Sequence, residues 1–173
     1  RPLLVALHGA GADEHMFTHA YGAGRLARLA DEHGFVVASP NTNVVLGDPS
    51  RLGAIIEAVK SDYAIDHDRI YVLGHSMGAG AAAGLASIYP DRLAGVVCIA
   101  GGWNLPTNPD APPVLVIAPE LDGIVPARQI ERIAVEARAA GGPIQFRLAT
   151  NQTHTLSVPA ILPESVEWLL EQR

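Results

Sequence analysis

The chain has 173 residues, is 49% hydrophobic and carries a formal net charge of −6, enough for one α/β core burying about 70% of the surface its extended chain would expose. Its twelve basic residues, a single lysine among them, are scattered without a cluster, which argues against nucleic acid or an anionic membrane as partner. Cys98 is the sole cysteine, so no disulfide forms within the chain, and its apolar setting Val96-Val-Cys-Ile-Ala reads as a buried thiol. Residues 70–90 carry no charge, but their glycines, His75 and Ser76 read as strand, turn and helix rather than as a membrane span, and a soluble domain is expected.

In chain order, apolar runs predict strands at 3–8, 35–39, 69–74, 95–100, 113–118 and 144–149. All read as continuous rather than alternating, as in parallel strands covered on both faces. Amphipathic or alanine-rich segments predict helices at 22–33, 51–64, 77–89 and 126–140, with a last helix over 163–172 that Pro163 would open at its first turn. This alternation implies a single domain over 1–173. About six mainly parallel strands would carry helices on both faces, and ligands would bind beyond the strands' carboxyl ends. The connection 101–112 is rich in Pro, Gly and Asn and has no helical period. It can cross over but cannot build a lid, so the site should be open to solvent.

The richest stretch is Arg69-Ile-Tyr-Val-Leu-Gly-His-Ser-Met-Gly, where a strand stops at Gly-x-Ser-x-Gly and an alanine-rich helix begins at once. Such a turn holds Ser76 in a strained conformation above the sheet, and side chains at Gly74 or Gly78 would collide with neighbouring backbone. The serine lies at the positive end of the following helix, where an oxyanion is favoured. A serine hydroxyl needs a base to take its proton, and the base needs a third group to fix its tautomer. In strand-turn-helix enzymes these follow in the order nucleophile, acid, histidine. The only histidine after Ser76 is His154, in Thr150-Asn-Gln-Thr-His-Thr beyond the last strand. Asp122 follows the strand 113–118 and is the expected acid, with Glu120 in reserve.

The other histidines carry less. His15, His19, His33 and His67 lie in polar or helical stretches and are expected at the surface. A zinc site built from His8, His15 and His19 is disfavoured, because no His-Glu-x-x-His occurs and these residues divide among strand end, loop and helix. No metal or cofactor is expected. The loop Leu7-His-Gly-Ala-Gly follows the first strand, and there the Ala10 N–H would converge with the Met77 N–H on a substrate oxygen. A phosphate-binding reading of this loop fails for want of the Gly-Lys-Ser/Thr ending.

With these motifs the chain resembles the small carboxylesterases of the α/β-hydrolase superfamily, with their phospholipase/carboxylesterase, dienelactone-hydrolase-like and polyhydroxybutyrate-depolymerase-like relatives. The likeness spans nearly the whole chain. Leu7-His-Gly-Ala-Gly-Ala-Asp resembles their oxyanion loop, Asp66-His-Asp-Arg-Ile-Tyr-Val-Leu-Gly-His-Ser-Met-Gly the run into the elbow, and Leu121-Asp-Gly-Ile-Val-Pro the acid loop. The resemblance implies a minimal α/β-hydrolase fold without a lid domain. It implies a Ser76, Asp122, His154 triad with Ala10 and Met77 as oxyanion amides, acting on small or short-chain acyl esters through an acyl-enzyme. A thioesterase or serine peptidase would use the same residues, and a catalytically silent binding domain is the reading from another class. Gly11, Trp103, Ile124, Val125 and Leu156 are the expected substrate-lining residues. Members of the group usually carry one or two further strands before the oxyanion loop. Here Arg1-Pro2 enters that strand directly, so a minimal sheet or a missing N-terminal segment is expected. Ala118-Pro-Glu-Leu also replaces a more usual His-Gly-x-x before the acid, and Gln152-Thr153 a common Gly before His154.

Overall fold

The computed structural model describes residues 1–173. Six strands, β1 (Leu3–Leu7), β2 (Val36–Ala38), β3 (Ile70–His75), β4 (Gly95–Ile99), β5 (Val114–Pro119) and β6 (Ile144–Ala149), form one sheet in the order β2-β1-β3-β4-β5-β6. Every neighbouring pair is parallel. The helices are α1 (Arg25–His33), α2 (Thr42–Gly47), α3 (Arg51–Asp62), α4 (Met77–Ile88), α5 (Ala127–Ala139) and α6 (Ser157–Glu171). Strand side chains point alternately to the two faces, and two cores result. Leu3, Val5 and Leu7 of β1 join Val72, Val96 and the apolar sides of α3, α4 and α5. Leu4 and Ala6 face the other way, with Phe17, Leu26, Leu29, Val97 and the buried stripe of α6.

The central strands β1, β3, β4 and β5 are buried along their whole length. Of the two edge strands, β2 is apolar and half-buried throughout, and β6 departs from the continuous apolar pattern. Gln145, Arg147 and Leu148 of β6 are exposed, because this strand has a partner on one side only.

Three local expectations are corrected. Pro163 does not open the last helix: α6 starts six residues earlier, at Ser157, and carries Pro163 inside it. Proline removes one i→i−4 hydrogen bond there, but the stripe Val158, Ile161, Leu162, Val166 and Leu169 is buried, and that packing holds the helix across the break. The segment before α1 contains a short π-helix, Met16–Ala20, and α1 itself starts only at Arg25, after Gly22, Ala23 and Gly24 at positive φ. Helix α2 had no apolar period to announce it. Its start is set by Asn41, whose side-chain oxygen accepts the Asn43 N–H at 3.1 Å.

Between β1 and β3 the order of connection reverses, since β1 leads outward to β2 and the chain then returns to β3 on its other side. Loops leaving the two strands at such a point diverge and open a crevice. Leu7 is in register with Gly74, so the loop 8–12 and the turn at Ser76 start at the same level.

Candidate active site

Ser76 sits at φ 54°, ψ −115°, between β3 and α4. The glycines around it are required by backbone, not by side chains. A Cβ on Gly74 would lie 2.0 Å from the Gly78 carbonyl oxygen, and one on Gly78 would lie 2.0 Å from that of Leu7. This close approach of strand, turn and helix is what lets a non-glycine residue persist in a disfavoured conformation.

His154 and Asp122 converge on this serine from the loops after β6 and β5. The Ser76 hydroxyl donates to His154 Nε2 at 2.9 Å, and His154 Nδ1–H donates to Asp122 Oδ2 at 2.7 Å. The other carboxylate oxygen of Asp122 accepts the N–H groups of Ile124 and Val125, both at 2.9 Å. With its side chain fully buried, the carboxylate is satisfied by three donors, so its orientation toward His154 is fixed. Glu120, the alternative acid, points elsewhere: its carboxylate accepts the Asn151 N–H at 2.8 Å. There it ties the acid loop to the histidine loop, beside a Leu121 N–H bond to the Gln152 carbonyl at 2.8 Å.

The amide of Ala10 donates to no protein acceptor, and that of Met77, first in α4, has no intrahelical partner. His8 is fully buried under this loop. Its Nε2 accepts the Thr42 N–H at 3.0 Å, which leaves Nδ1–H to donate to the Gly9 carbonyl at 2.9 Å. It therefore pins α2 beneath the loop. His15 and His19 lie exposed and edge to face at 5.4 Å, and no three His, Cys, Asp or Glu side chains are grouped to hold a metal.

A cleft of about 350 Å³ opens over Ser76, lined by Gly9 to Ala12, Met16, Tyr21, His75, Ile124, His154 and Thr155. Of the expected lining residues, Gly11 and Ile124 border it, and Ile124 is 71% exposed. Leu156 stands 72% exposed beside the cleft without lining it. Val125 is not on the rim; it is 7% exposed because its N–H turns inward to Asp122. Trp103 does not line the cleft either. Its ring lies against Gly80 and Gly101, whose missing side chains make room for it. A larger groove of about 620 Å³ lies at the other end of the strands, between residues 66–69 and 90–94. It is walled by charged residues and contains no serine, threonine or cysteine.

Sequence reasoning missed Tyr21 and His75. His75 is buried at 3% exposure, its ring 4.9 Å from that of His154 and edge-on to Tyr21 at 5.5 Å. Burial, with a smaller contribution from the charge of His154, pushes its pKa down to about 4. Burial pushes the Tyr21 phenol up to about 12. Both groups are neutral at neutral pH.

A parallel sheet with a Gly-x-Ser-x-Gly turn at its switch point, and an acid and a histidine supplied after later strands, defines the α/β-hydrolase class. Residues 4–169 match the profile of the Alpha/beta hydrolase family, and the chain belongs to that family. It is 35% identical over 104 residues to Cutinase est1 of Thermobifida alba, covering 54% of this chain and 35% of that protein. It is 34% identical over 119 residues to Poly(3-hydroxyalkanoate) depolymerase C of Paucimonas lemoignei, covering 58% and 28%. The chain thus spans about a third of the length of these curated relatives. Among solved structures, S-formylglutathione hydrolase of Staphylococcus aureus superposes with a TM-score of 0.78 at 18% identity, over 99% of this chain and 82% of that one. A thermostable esterase superposes with a TM-score of 0.73 at 24% identity, over 99% and 54%. At these identities the likeness is one of fold.

Proposed function

We propose that the chain is a serine carboxylic-ester hydrolase acting on small or short-chain acyl esters. The observation that carries this reading is the run Ser76 Oγ, His154 Nε2, His154 Nδ1, Asp122 Oδ2 at 2.9 and 2.7 Å, beside the unbonded amides of Ala10 and Met77. In the proposed reaction His154 takes the hydroxyl proton as Ser76 attacks the ester carbonyl. Asp122 holds the imidazole and stabilises the imidazolium. The two amides bind the oxyanion, and donors in such sites contribute about 3 kcal/mol each. His154 then returns the proton to the departing alcohol, and water repeats the cycle to release the acid. No step calls for a cofactor. The names of the cutinase and esterase relatives agree with ester substrates.

An insoluble polyester is a second reading. It is favoured by the exposed apolar residues Leu121 and Ile124 of the acid loop and Leu156 of the histidine loop, at 57, 71 and 72%, and by the depolymerase relatives.

The test is Ser76→Ala with p-nitrophenyl acetate and fluorophosphonate labelling. Turnover should fall at least about a thousandfold, since the oxyanion donors and binding alone leave only residual catalysis, and labelling should vanish. A variant as active as the parent would end the proposal. An ester, a thioester and an amide of one acyl group, together with a polyester film, separate the substrate classes.

A further inference from the structure

The carbonyl oxygen of His154 accepts two buried hydrogen bonds, from His75 Nε2 at 3.0 Å and from the Ser157 hydroxyl at 3.0 Å. A carbonyl cannot donate, so His75 Nε2 carries a proton. In the neutral ring Nδ1 is then an acceptor, and the Tyr21 hydroxyl donates to it at 2.6 Å. The tautomer of His75 is thereby fixed from both sides. Tyr21 is itself held edge to face on Phe17 at 4.9 Å, and a Cβ on Gly9 would stand 3.1 Å from His75 Nδ1. One ring thus meets the loop after β1, the segment before α1 and the loop after β6.

We infer that His75 is a positioning residue for His154: its Nε2–H, oriented by the Tyr21 hydroxyl, fixes the His154 main chain and so the imidazole facing Ser76. The inference rests on the reading of Ser76, His154 and Asp122 given above. Asp122 fixes the imidazole at Nδ1, but where the ring then lies over Ser76 depends on the position of the His154 main chain. Anchoring the carbonyl of the same residue holds that main chain, and a displacement of about 1 Å in such a site costs on the order of a hundredfold in rate. The effect transmitted through the buried His154 carbonyl belongs in kcat, whereas a lost substrate contact of the cleft-lining His75 or Tyr21 ring would appear in KM.

The experiment compares the parent chain with His75→Phe, His75→Gln and Tyr21→Phe on p-nitrophenyl acetate, with thermal unfolding recorded for each. Phenylalanine keeps a ring but removes both hydrogen bonds; glutamine keeps an N–H where Nε2 was. His75→Phe should lower kcat at least about tenfold with KM within about twofold, and His75→Gln should recover to within about threefold of the parent. A His75→Phe enzyme within about twofold of the parent, or a His75→Gln enzyme as impaired as His75→Phe, would overturn the inference. Should His75→Phe not fold, Tyr21→Phe decides: a severalfold lower kcat at constant KM supports it, and an unchanged kcat overturns it. Activity surviving in Ser76→Ala would instead remove the underlying reading, whereas an inactive Ser76→Ala beside a fully active His75→Phe removes the positioning role alone.

Discussion

His75 should make the stability of the fold depend on pH between about 6.5 and 4. In the unfolded chain its ring takes a proton near 6.5; in the folded protein, burial first and the charge of His154 second delay this to about 4, against the opposing effects of the His154 carbonyl and Asp122. Tyr21, the remaining titratable group against the ring, stays neutral throughout. Between the two values the unfolded chain binds more protons, so stability falls as pH falls. The contribution is complete above about pH 6.5 and is lost as pH falls through about 4, below which both states are protonated. At 1.36 kcal/mol for each pH unit, the full span is about 3 kcal/mol, most of which is lost between pH 7.5 and 4.5. Urea unfolding of the parent and of His75→Gln at those two pH values isolates this amount, because titrations elsewhere are common to both chains. The parent should lose about 2 to 3 kcal/mol more than the variant on acidification. Equal losses, within about 0.5 kcal/mol, would refute the account of His75 as a buried neutral base.

Two further outcomes follow from the site. Asp122→Asn should lower kcat/KM on p-nitrophenyl acetate by about four orders of magnitude, because the new amide turns an N–H toward His154 Nδ1 and forces the tautomer that cannot accept the Ser76 proton. Glu120→Gln should stay within severalfold, since its carbonyl oxygen still accepts the Asn151 N–H, and a larger loss there than in Asp122→Asn would reverse the acid assignment. Rates across p-nitrophenyl esters of rising chain length should peak at short acyl groups, because the 350 Å³ cleft leaves added methylenes in water at about 0.8 kcal/mol of unrealised burial each. No jump should appear at the solubility limit, and a steady rise to long chains would reveal a tunnel.

How far the site could be read from sequence tracks how local its constraints are. Gly74, Ser76 and Gly78 were legible because the turn allows nothing larger at its flanks, as the 2.0 Å approaches record. His154 was legible by order, as the only histidine downstream. His75 occupies the unspecified position of the same motif, and its meaning depends on Tyr21, 54 residues away. No spacing rule reaches that far. Val125 and Trp103 misled for a related reason: a hydrophobic residue near a loop end reads the same whether it faces a cleft or the core. Val125 is decided by its N–H to Asp122, and Trp103 by the room left at Gly80. Pro163 misled because the rule for helix starts is statistical, and the buried stripe of α6 outweighs one absent hydrogen bond.

Asp122 and His154 follow adjacent strands, and the ladder between those strands carries directly into the candidate site. Pro119 is in register with Ala149 at the ends of β5 and β6. Pairing continues past the strands through Glu120 N–H to the Ala149 carbonyl at 2.9 Å and Leu121 N–H to the Gln152 carbonyl at 2.8 Å. The Asp122 to His154 distance is therefore set by the same register that buries Val114, Val116 and Ala118 of β5, and a slip of one residue would turn those side chains to the opposite face. Ser76 follows β3, three strands from β6 with β4 and β5 between, and no ladder bond joins it to the histidine loop. Its separation from His154 needs a contact that spans this gap. His75, at the end of β3, makes one: it is bonded through the chain to Ser76 and through Nε2–H to the His154 carbonyl. A buried neutral histidine suits that place, because its ring can donate across the gap while accepting from Tyr21 behind it, so neither nitrogen is left unpaired in the interior.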